Sequence, residues 1–334
     1  MTNQDTIAGF AELFAGRTDA YGLSYPDDWG NKKVKAWRVP EGLSRDHQHF
    51  IERHLNGEMD LGVYPMRYKA LGFESDWEVK WVCVDLDIAA PGKTRYDFDT
   101  TEEAMRSAIA LMFTASDHNV TLWPEITTNG GVHVWGFLSD WTVAETARNA
   151  MLWLCQQSGT PTGEVNPKQV SLPSAEQLGN FVRLPYFGGL TNSVARPIVN
   201  LDFETWFSPE VWVEDAIQEL ISPVAMTALA SKYVPPMAPS PMPYVGEGVE
   251  VTPDWLKNLP PILKYILKDG TGKQSDRSIW LYSLAHKCQD SGLSPEDALT
   301  YLQVADDLWT GKFTNRPDAE QRYSDMVGKA YSNA

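Results

Sequence analysis

The sequence predicts an α/β (α+β) domain followed by a small all-α domain, and three observations carry that prediction. The run Val79-Lys80-Trp81-Val82-Cys83-Val84 is apolar, β-branched and aromatic over a length that suits a buried strand. Two further strand-like segments, 120–127 and 132–137, flank Asn129-Gly130-Gly131, whose residues tolerate the positive φ of a tight hairpin turn. Beyond a proline-rich stretch, residues 253–334 change to helical spacing.

In chain order, Phe10, Leu13 and Phe14 give a short helix within residues 1 to about 20. Residues 21–40, rich in Gly, Pro, Asp and Lys, read as loop with short strands. Arg45 to Leu55 is helical in pattern and Gly57 closes it; Leu61-Gly62-Val63-Tyr64 is a short strand. The strand at 79–87 precedes a helix opened by Thr100 as N-cap, with Glu102 and Glu103 in its first turn, running to about Ser116. After the hairpin, a helix begins at a Thr cap and covers 142–158, and Arg196 to Asn200 looks like another strand. From Pro223 to about Glu250 the density of proline predicts an extended linker. Ile279, Leu281, Tyr282 and Leu284 then form a helix stopped by Gly292, and Ser294-Pro295-Glu296-Asp297 starts the next with a cap, a first-turn proline and acids at the positive end. The expected domains are 1–222, a linker at 223–250, and 251–334.

The 334 residues, 43% of them hydrophobic, suffice for two globular domains with real cores. No segment is long and apolar enough to cross a bilayer, and Met1-Thr2-Asn3-Gln4-Asp5 lacks the features of a signal peptide, so a cytoplasmic location is expected. Cys83, Cys155 and Cys288 are widely spaced and read as reduced, buried thiols. A net charge of −16 excludes binding of nucleic acid by a broadly basic surface. A local exception is Lys32, Lys33, Lys35 and Arg38 around Trp37, either a solvated loop or a confined DNA-binding patch. Trp37 and Trp135 are candidate stacking surfaces, whereas Trp206, Trp212, Trp255, Trp280 and Trp309 read as core.

Asp85 and Asp87 are the centre of the chemical reading. Alternation along a strand directs both to one face, where two carboxylates repel each other unless a cation joins them. Hard oxygen ligands suit Mg²⁺ or Mn²⁺. By themselves, the two acids equally describe a solvated strand end. Three other clusters add weight. In Thr127-Thr128-Asn129-Gly130-Gly131-Val132-His133, turn amides and His133 can meet phosphate oxygens, although a hairpin with a structural histidine has the same sequence. Glu164, Lys168 and Gln169 can supply a third carboxylate, a phosphate contact and a polar sugar or base contact. Asn180 and Arg183 project between the apolar residues of 179–189, and the arginine suits a triphosphate or template contact.

These residues together resemble the archaeo-eukaryotic primase superfamily, in particular the primase-polymerases of phages and mobile elements. The resemblance lies in the order of Asp85-Leu86-Asp87, Gly131-Val132-His133, Glu164-Val165-Asn166-Pro167-Lys168-Gln169, Gly179-Asn180-Phe181 and Leu184-Pro185-Tyr186-Phe187, preceded by His54-Leu55-Asn56-Gly57 and Leu61-Gly62-Val63-Tyr64-Pro65. It covers roughly residues 20–215, and the tail from Arg277 to Tyr331 is similar to the helical domain that often follows such cores.

The resemblance implies an RRM-like sheet with the site in its cleft, two metal ions (Mg²⁺ or Mn²⁺) on Asp85 and Asp87, and His133 on the phosphates of the nucleotide. It also implies synthesis and extension of primers on single-stranded DNA from NTPs or dNTPs, with a helicase as a fused or separate partner. The family usually has an aspartate in the third motif; here Glu164 stands in that segment, with Asp202 as fallback. Lys168, Arg183 and the Gly130 and Gly131 amides are expected on the triphosphate. Two readings compete. A glycosyltransferase also places Asp-x-Asp on a metal-bound nucleotide-sugar, and a degenerate primase fold could serve as a replication scaffold.

Overall fold

The computed structural model describes residues 1–26, 32–43, 45–69, 77–89, 97–191, 193–235, 277–307, 311–314, 316 and 318–331. Chain contacts divide it into two units, Met1–Val234 and Pro235–Ala334.

The first unit opens with α1 (Asn3–Leu13), where Thr2 and Asp5 form a reciprocal capping box. Then come β1 (Ala20–Pro26), β2 (Lys32–Arg38), α2 (His47–Leu55), β3 (Asp60–Val63), β4 (Arg67–Tyr68) and β5 (Trp77–Leu86). They are followed by α3 (Thr101–Ser116), β6 (Trp123–Ile126), β7 (Val132–Val143), α4 (Ala144–Ser158), β8 (Val165–Asn166), β9 (Val182–Arg183), α5 (Pro209–Gln218) and α6 (Pro223–Ala230). One sheet has the order β2-β1-β3-β9; the other runs β4-β5-β7-β6, with β8 also paired to β5. Strand pairing within both sheets is antiparallel. The α/β class expected from the sequence is the one observed.

β5 is buried along almost its whole length because both of its faces are covered, and Glu78, Lys80 and Asp85 interrupt an otherwise apolar run. Val82, Val84 and Leu86 join the core that includes Ala104, Leu111, Met151 and Leu154 of α3 and α4. Trp81 and Cys83 point the other way, into a core shared with Phe10, Phe14, Ile51, Leu61 and Trp212. Asp85 and Asp87 continue that second face past the point where the core ends. β7 alternates in step: Val132 and Val134 face the first core, Trp135 and Phe137 the second.

His54-Leu55-Asn56-Gly57 is structural. His54 is fully buried; its Nδ1 accepts the Leu61 N–H at 3.1 Å, so Nε2 carries the proton and donates to the Pro185 carbonyl at 2.9 Å. The Gly188 and Leu190 amides donate to the carbonyls of His54 and Leu55. One imidazole thus ties the end of α2 to β3 and to the segment after β9, and so fixes where Arg183 stands.

Several expectations need correction. Pro223 does not open an extended linker: Ser222 caps α6 and Pro223 occupies its first turn, where the missing N–H is not needed. The rest of the expected linker, and the start of the expected helical domain up to 276, lie outside the described residues. Thr142 does not cap α4, because β7 runs on to Val143 and the helix starts without a side-chain cap. Residues 196–200 form isolated bridges, Glu125 to Ile198 and Val199 to Trp206, in place of a strand. Trp135 is fully buried and offers no stacking surface, while Trp206, expected in the core, is half exposed. Trp212 and Trp280 are buried as expected, and Trp255 and Trp309 lie outside the described residues.

The described part of the second unit is three helices, Arg277–Asp290, Pro295–Ala305 and Ala319–Tyr331, packed around Leu281, Leu284, Leu302 and Val327. Buried Asp306 accepts the amides of Lys312, Phe313 and Thr314 at 2.7–3.0 Å and the Tyr323 hydroxyl at 2.8 Å, closing the loop before the last helix.

His54 sets a stability prediction with a definite pH sign. Burial, partly offset by the Pro185 carbonyl, depresses its pKa to about 3. The unfolded chain therefore takes up this proton below about 6.5 while the folded chain refuses it, and stability falls as pH drops from about 6.5 toward 3. His54→Ala should reduce unfolding free energy by about 2–4 kcal/mol and flatten that acid slope. Urea denaturation of both proteins between pH 7 and pH 4.5 reads both effects; parallel slopes would refute the assignment.

Candidate active site

The register of the larger sheet builds the site. Asp85 on β5 pairs with His133 on β7, and His133 pairs with Glu125 on β6. Paired residues share a face, so the three side chains form one row across three strands. His133 Nε2 lies 3.5 Å from Asp85 Oδ1, and its Nδ1 lies 2.9 Å from Glu125 Oε2. The same Glu125 oxygen accepts the Trp135 indole N–H at 2.7 Å. Glu125 has no solvent exposure. Burial alone would keep His133 neutral, but Glu125 and then Asp85 outweigh it and lift the imidazole pKa to about 10. Both ring nitrogens are then donors, one toward each acid.

The row continues into the smaller sheet. Glu125 Oε1 stands 3.8 Å from Arg196 Nε, and Arg196 donates to Asp60 Oδ1 at 2.6 Å and to the Leu184 carbonyl at 3.0 Å. The other Asp60 oxygen takes Arg183. Charges therefore alternate through Asp85, His133, Glu125, Arg196, Asp60 and Arg183. Burial followed by the repulsion of Arg196 lowers the Arg183 pKa to about 10, which leaves it a cation at neutral pH.

This chain of charges borders a cavity of about 300 Å³ lined by residues of both sheets and the loops between them. Of the expected site residues, Asp85, Asp87, Thr128, Asn129, His133, Glu164, Lys168, Asn180 and Arg183 all line it. β8 brings Glu164 there: Cys83 pairs with Asn166, and the Asp85 amide donates to the Glu164 carbonyl at 3.1 Å. Arg148 of α4 clamps this segment by donating to the carbonyls of Val165 and Pro167. The Lys168 ammonium pairs with the Glu164 carboxylate.

Other expected residues are placed differently. The Gly130 amide donates to the Thr127 carbonyl at 3.0 Å inside the turn, so it is committed there and not aimed at a phosphate. A side chain on Gly130 would strike Thr101, and one on Gly131 would strike the Leu86 carbonyl; both glycines serve close packing of the turn. Gln169 does not line the cavity; it donates to Asn180 Oδ1 at 2.6 Å and so orients that side chain. The fallback acid Asp202 binds the Glu204 and Thr205 amides in an exposed turn away from the cavity.

The basic patch is divided by strand alternation. Lys33 and Lys35 share the β2 face of Trp37, which packs on Tyr21 and Phe50. Lys35 covers the Tyr25 ring at 4.9 Å. Arg38 pairs with Asp19 at 3.3 Å and donates to the Glu176 carbonyl, fastening the loop that leads to β9. The Lys32 side chain lies outside what is described. The β2 residue that reaches the cavity is Val34, on the opposite face.

Sequence reading missed Glu125, Asp60, Arg196, Val34 and Asp97. Asp97, with its amide on the Asp87 carbonyl at 2.9 Å, has its pKa raised by burial and by the charges of Asp85, Asp87 and Glu164. Glu125 did leave a signal: an acid at a core-facing position of a hairpin strand needs a partner across the turn.

Among the described residues, no three His, Cys, Asp or Glu side chains are disposed as a metal cage. That arrangement fits Mg²⁺ all the same, since this ion is commonly held by one or two carboxylates plus substrate phosphates and waters. The donor set is all hard oxygen, with Asp85 and Asp87 lining the cavity together and Glu164 beside them.

The chain is thus a mixed α/β protein with two antiparallel sheets and a cavity lined by both carboxylates and cations. Residues 5–206 match the family described as the archaeo-eukaryotic primase domain of TOTE conflict systems, and the chain belongs to that family. Among solved structures it is similar to primase RepB′, with 12% identity over 98% of this chain and 93% of that one, at a TM-score of 0.28. It is also similar to the polymerase domain of Mycobacterium tuberculosis ligase D in complex with DNA, with 15% identity over 69% of this chain and 92% of that one, at a TM-score of 0.36. No curated protein matches the chain. No helix among the described residues is long and apolar enough to cross a membrane.

Glu125 makes the next prediction. Glu125→Ala leaves the His133 and Trp135 donors without their buried acceptor and Arg196 with Asp60 as its remaining acid. The expected loss is about 3–5 kcal/mol of unfolding free energy, read from urea denaturation monitored by tryptophan fluorescence. A loss below about 1 kcal/mol would mean that the charge is not held as described.

Proposed function

We propose that this chain is a metal-dependent nucleotidyltransferase that makes and extends primers on single-stranded DNA from NTPs or dNTPs. The observation that carries the reading is a concentration of cations beside carboxylates in one cavity. A chain of net charge −16 gathers Lys168, His133, Arg183 and Arg196 around one cavity and sets Glu125 and Asp60 behind them. Four cations beside the carboxylates of Asp85, Asp87 and Glu164 suit a polyphosphate that arrives with a divalent ion.

The chain's own residues have distinct roles in this reading. Asp85 and Asp87 would hold Mg²⁺ or Mn²⁺, and Glu164, now paired with Lys168, would be available as a third carboxylate. The bound ions would supply charge neutralisation at the attacking and leaving oxygens of an in-line displacement. His133 donates from Nε2 toward a phosphate oxygen, oriented by Glu125 through Nδ1. Lys168, Arg183 and Arg196 hold the remaining phosphate charge, and their fixed ion pairs keep them placed before the ligand arrives. The second unit, as a helical domain, is assigned to the initiating nucleotide or the new primer. A replicative helicase, fused or separate, would supply the unwound template, as expected for a phage or mobile-element replication protein in the host cytoplasm.

Family membership leaves the nucleotide-sugar reading without support. Placement of Asp85, Asp87 and His133 in one cavity favours an enzyme over a scaffold.

Template-directed synthesis with Mg²⁺ or Mn²⁺, with and without a primer, tests the proposal. Asp85→Asn should lower incorporation by about 10²–10³-fold, the size of several kcal/mol of transition-state stabilisation. Chelation should abolish synthesis and either ion should restore it. Lys168→Met should raise KM for the nucleotide by about 10- to 100-fold, with a smaller change in kcat. Full incorporation by Asp85→Asn would end the assignment.

A further inference from the structure

The cavity face of the smaller sheet is apolar where it leaves its arginine end. Gly22 on β1 pairs with Gly62 on β3, Gly62 pairs with Arg183 on β9, and Gly22 pairs with Ala36 on β2. These four residues form one row on one face, with Val34 beside it on β2. The two glycines leave a notch, and the Phe181 ring fills it. A Cβ on Gly22 would come within 2.3 Å of Phe181 Cδ2 and within 2.4 Å of Cε2; a Cβ on Gly62 would come within 2.4 Å of Cδ2. Tyr64 meets the same ring edge-to-face, with centroids 5.4 Å apart. Phe181 is therefore seated by both strands and by a second aromatic, yet it stays only half-buried and lines the cavity. Val34 is 55% exposed, unusual for a valine in a strand, and lines the same cavity.

The walls of the cavity thus differ in chemistry. Acids and cations stand along β5, β7, β8 and the Arg183 end, and an aromatic ring with an exposed valine stands beside them. A nucleoside triphosphate has the same division, a charged tail and a flat apolar base. We infer that Phe181, supported by the Gly22–Gly62 notch, is the surface on which the base of the incoming nucleotide rests, with Val34 flanking it. The inference rests on the nucleotide reading above and adds to it where the base lies. Contact with a π-face does not distinguish one base from another, so Phe181 contributes affinity without base choice, as a template-directed enzyme requires. Asn180, next in the chain and held by Gln169, is the polar neighbour of the ring.

Equilibrium titration of the full chain with each of four NTPs and with ribose 5-triphosphate, all with Mg²⁺, tests this without catalysis. Wild type should bind the four NTPs alike and about 5- to 100-fold more tightly than the base-free ligand. Phe181→Leu should remove that difference by weakening the NTPs alone, and Phe181→Tyr should keep it. Phe181→Leu that binds NTPs as wild type does, or that loses both ligand types equally, would overturn the inference while leaving the nucleotide reading intact. Wild type that binds neither ligand would sink the nucleotide reading and this inference with it. If Phe181→Leu fails to fold, wild type decides alone: equal affinity for NTP and ribose 5-triphosphate overturns the platform.

Discussion

The site depends on one buried charge. Glu125 has no contact with solvent, and a carboxylate in that position is tolerated only if its neighbours answer it. His133 and Trp135 do so on one oxygen, and Arg196 approaches the other. Each answer creates a further demand. A protonated His133 calls for Asp85 on its other nitrogen, and Arg196 calls for Asp60, which in turn takes Arg183. The result is a sequence of charges that crosses from one sheet to the other and fixes the distance between them at the cavity. Removal of an inner member takes one partner from each of two neighbours, and for that reason the inner acids matter more to the architecture than the exposed ones do.

Where local physics decides, the sequence was informative. Period-two alternation was enough to direct Asp85 and Asp87 to one face, and turn chemistry at Asn129-Gly130-Gly131 was enough to start β7 just before His133. Both depend on residues adjacent in the chain. The three-strand row could not be read in the same way, since it needs the register between β5, β7 and β6 as well as their existence. Asp60 and Arg196 were harder still, because they lie 136 residues apart and meet only through the tertiary fold.

The errors have equally specific causes. Lys33 and Lys35 were grouped with Arg38 by nearness in sequence, but a strand sends adjacent residues to opposite faces, and alternation, not proximity, selected Val34 for the cavity. The linker was read from proline density alone. A Ser-Pro pair is a helix start when the serine caps and the proline takes the first turn, and this chain uses it at Ser208-Pro209, Ser222-Pro223 and Ser294-Pro295. The sequence reading used only the last, where two acids, Glu296 and Asp297, follow the proline. Gly130 was assigned to phosphate for its freedom of φ, which at φ +83° it does use, but to close the turn.

The acidity of the chain and the cationic lining of its cavity are compatible for a physical reason. Free lysines and arginines on an acidic protein would be screened or neutralised by distant carboxylates in no fixed geometry. Here each cation has its own acid: Lys168 has Glu164, His133 has Asp85 and Glu125, and Arg183 and Arg196 share Asp60. Two of these acids, Glu125 and Asp60, lie behind the lining, so their partners stay oriented without leaving the cavity wall. The other two, Asp85 and Glu164, stand in the cavity, and their pairs with His133 and Lys168 are open to exchange. In the proposed reading, an anion on the imidazole and the ammonium would release both carboxylates for a divalent ion, and an ion on the carboxylates would release both cations for phosphate. Binding of the two proposed ligands would thereby be coupled through side chains alone, and neither would have to enter a site of uncompensated charge.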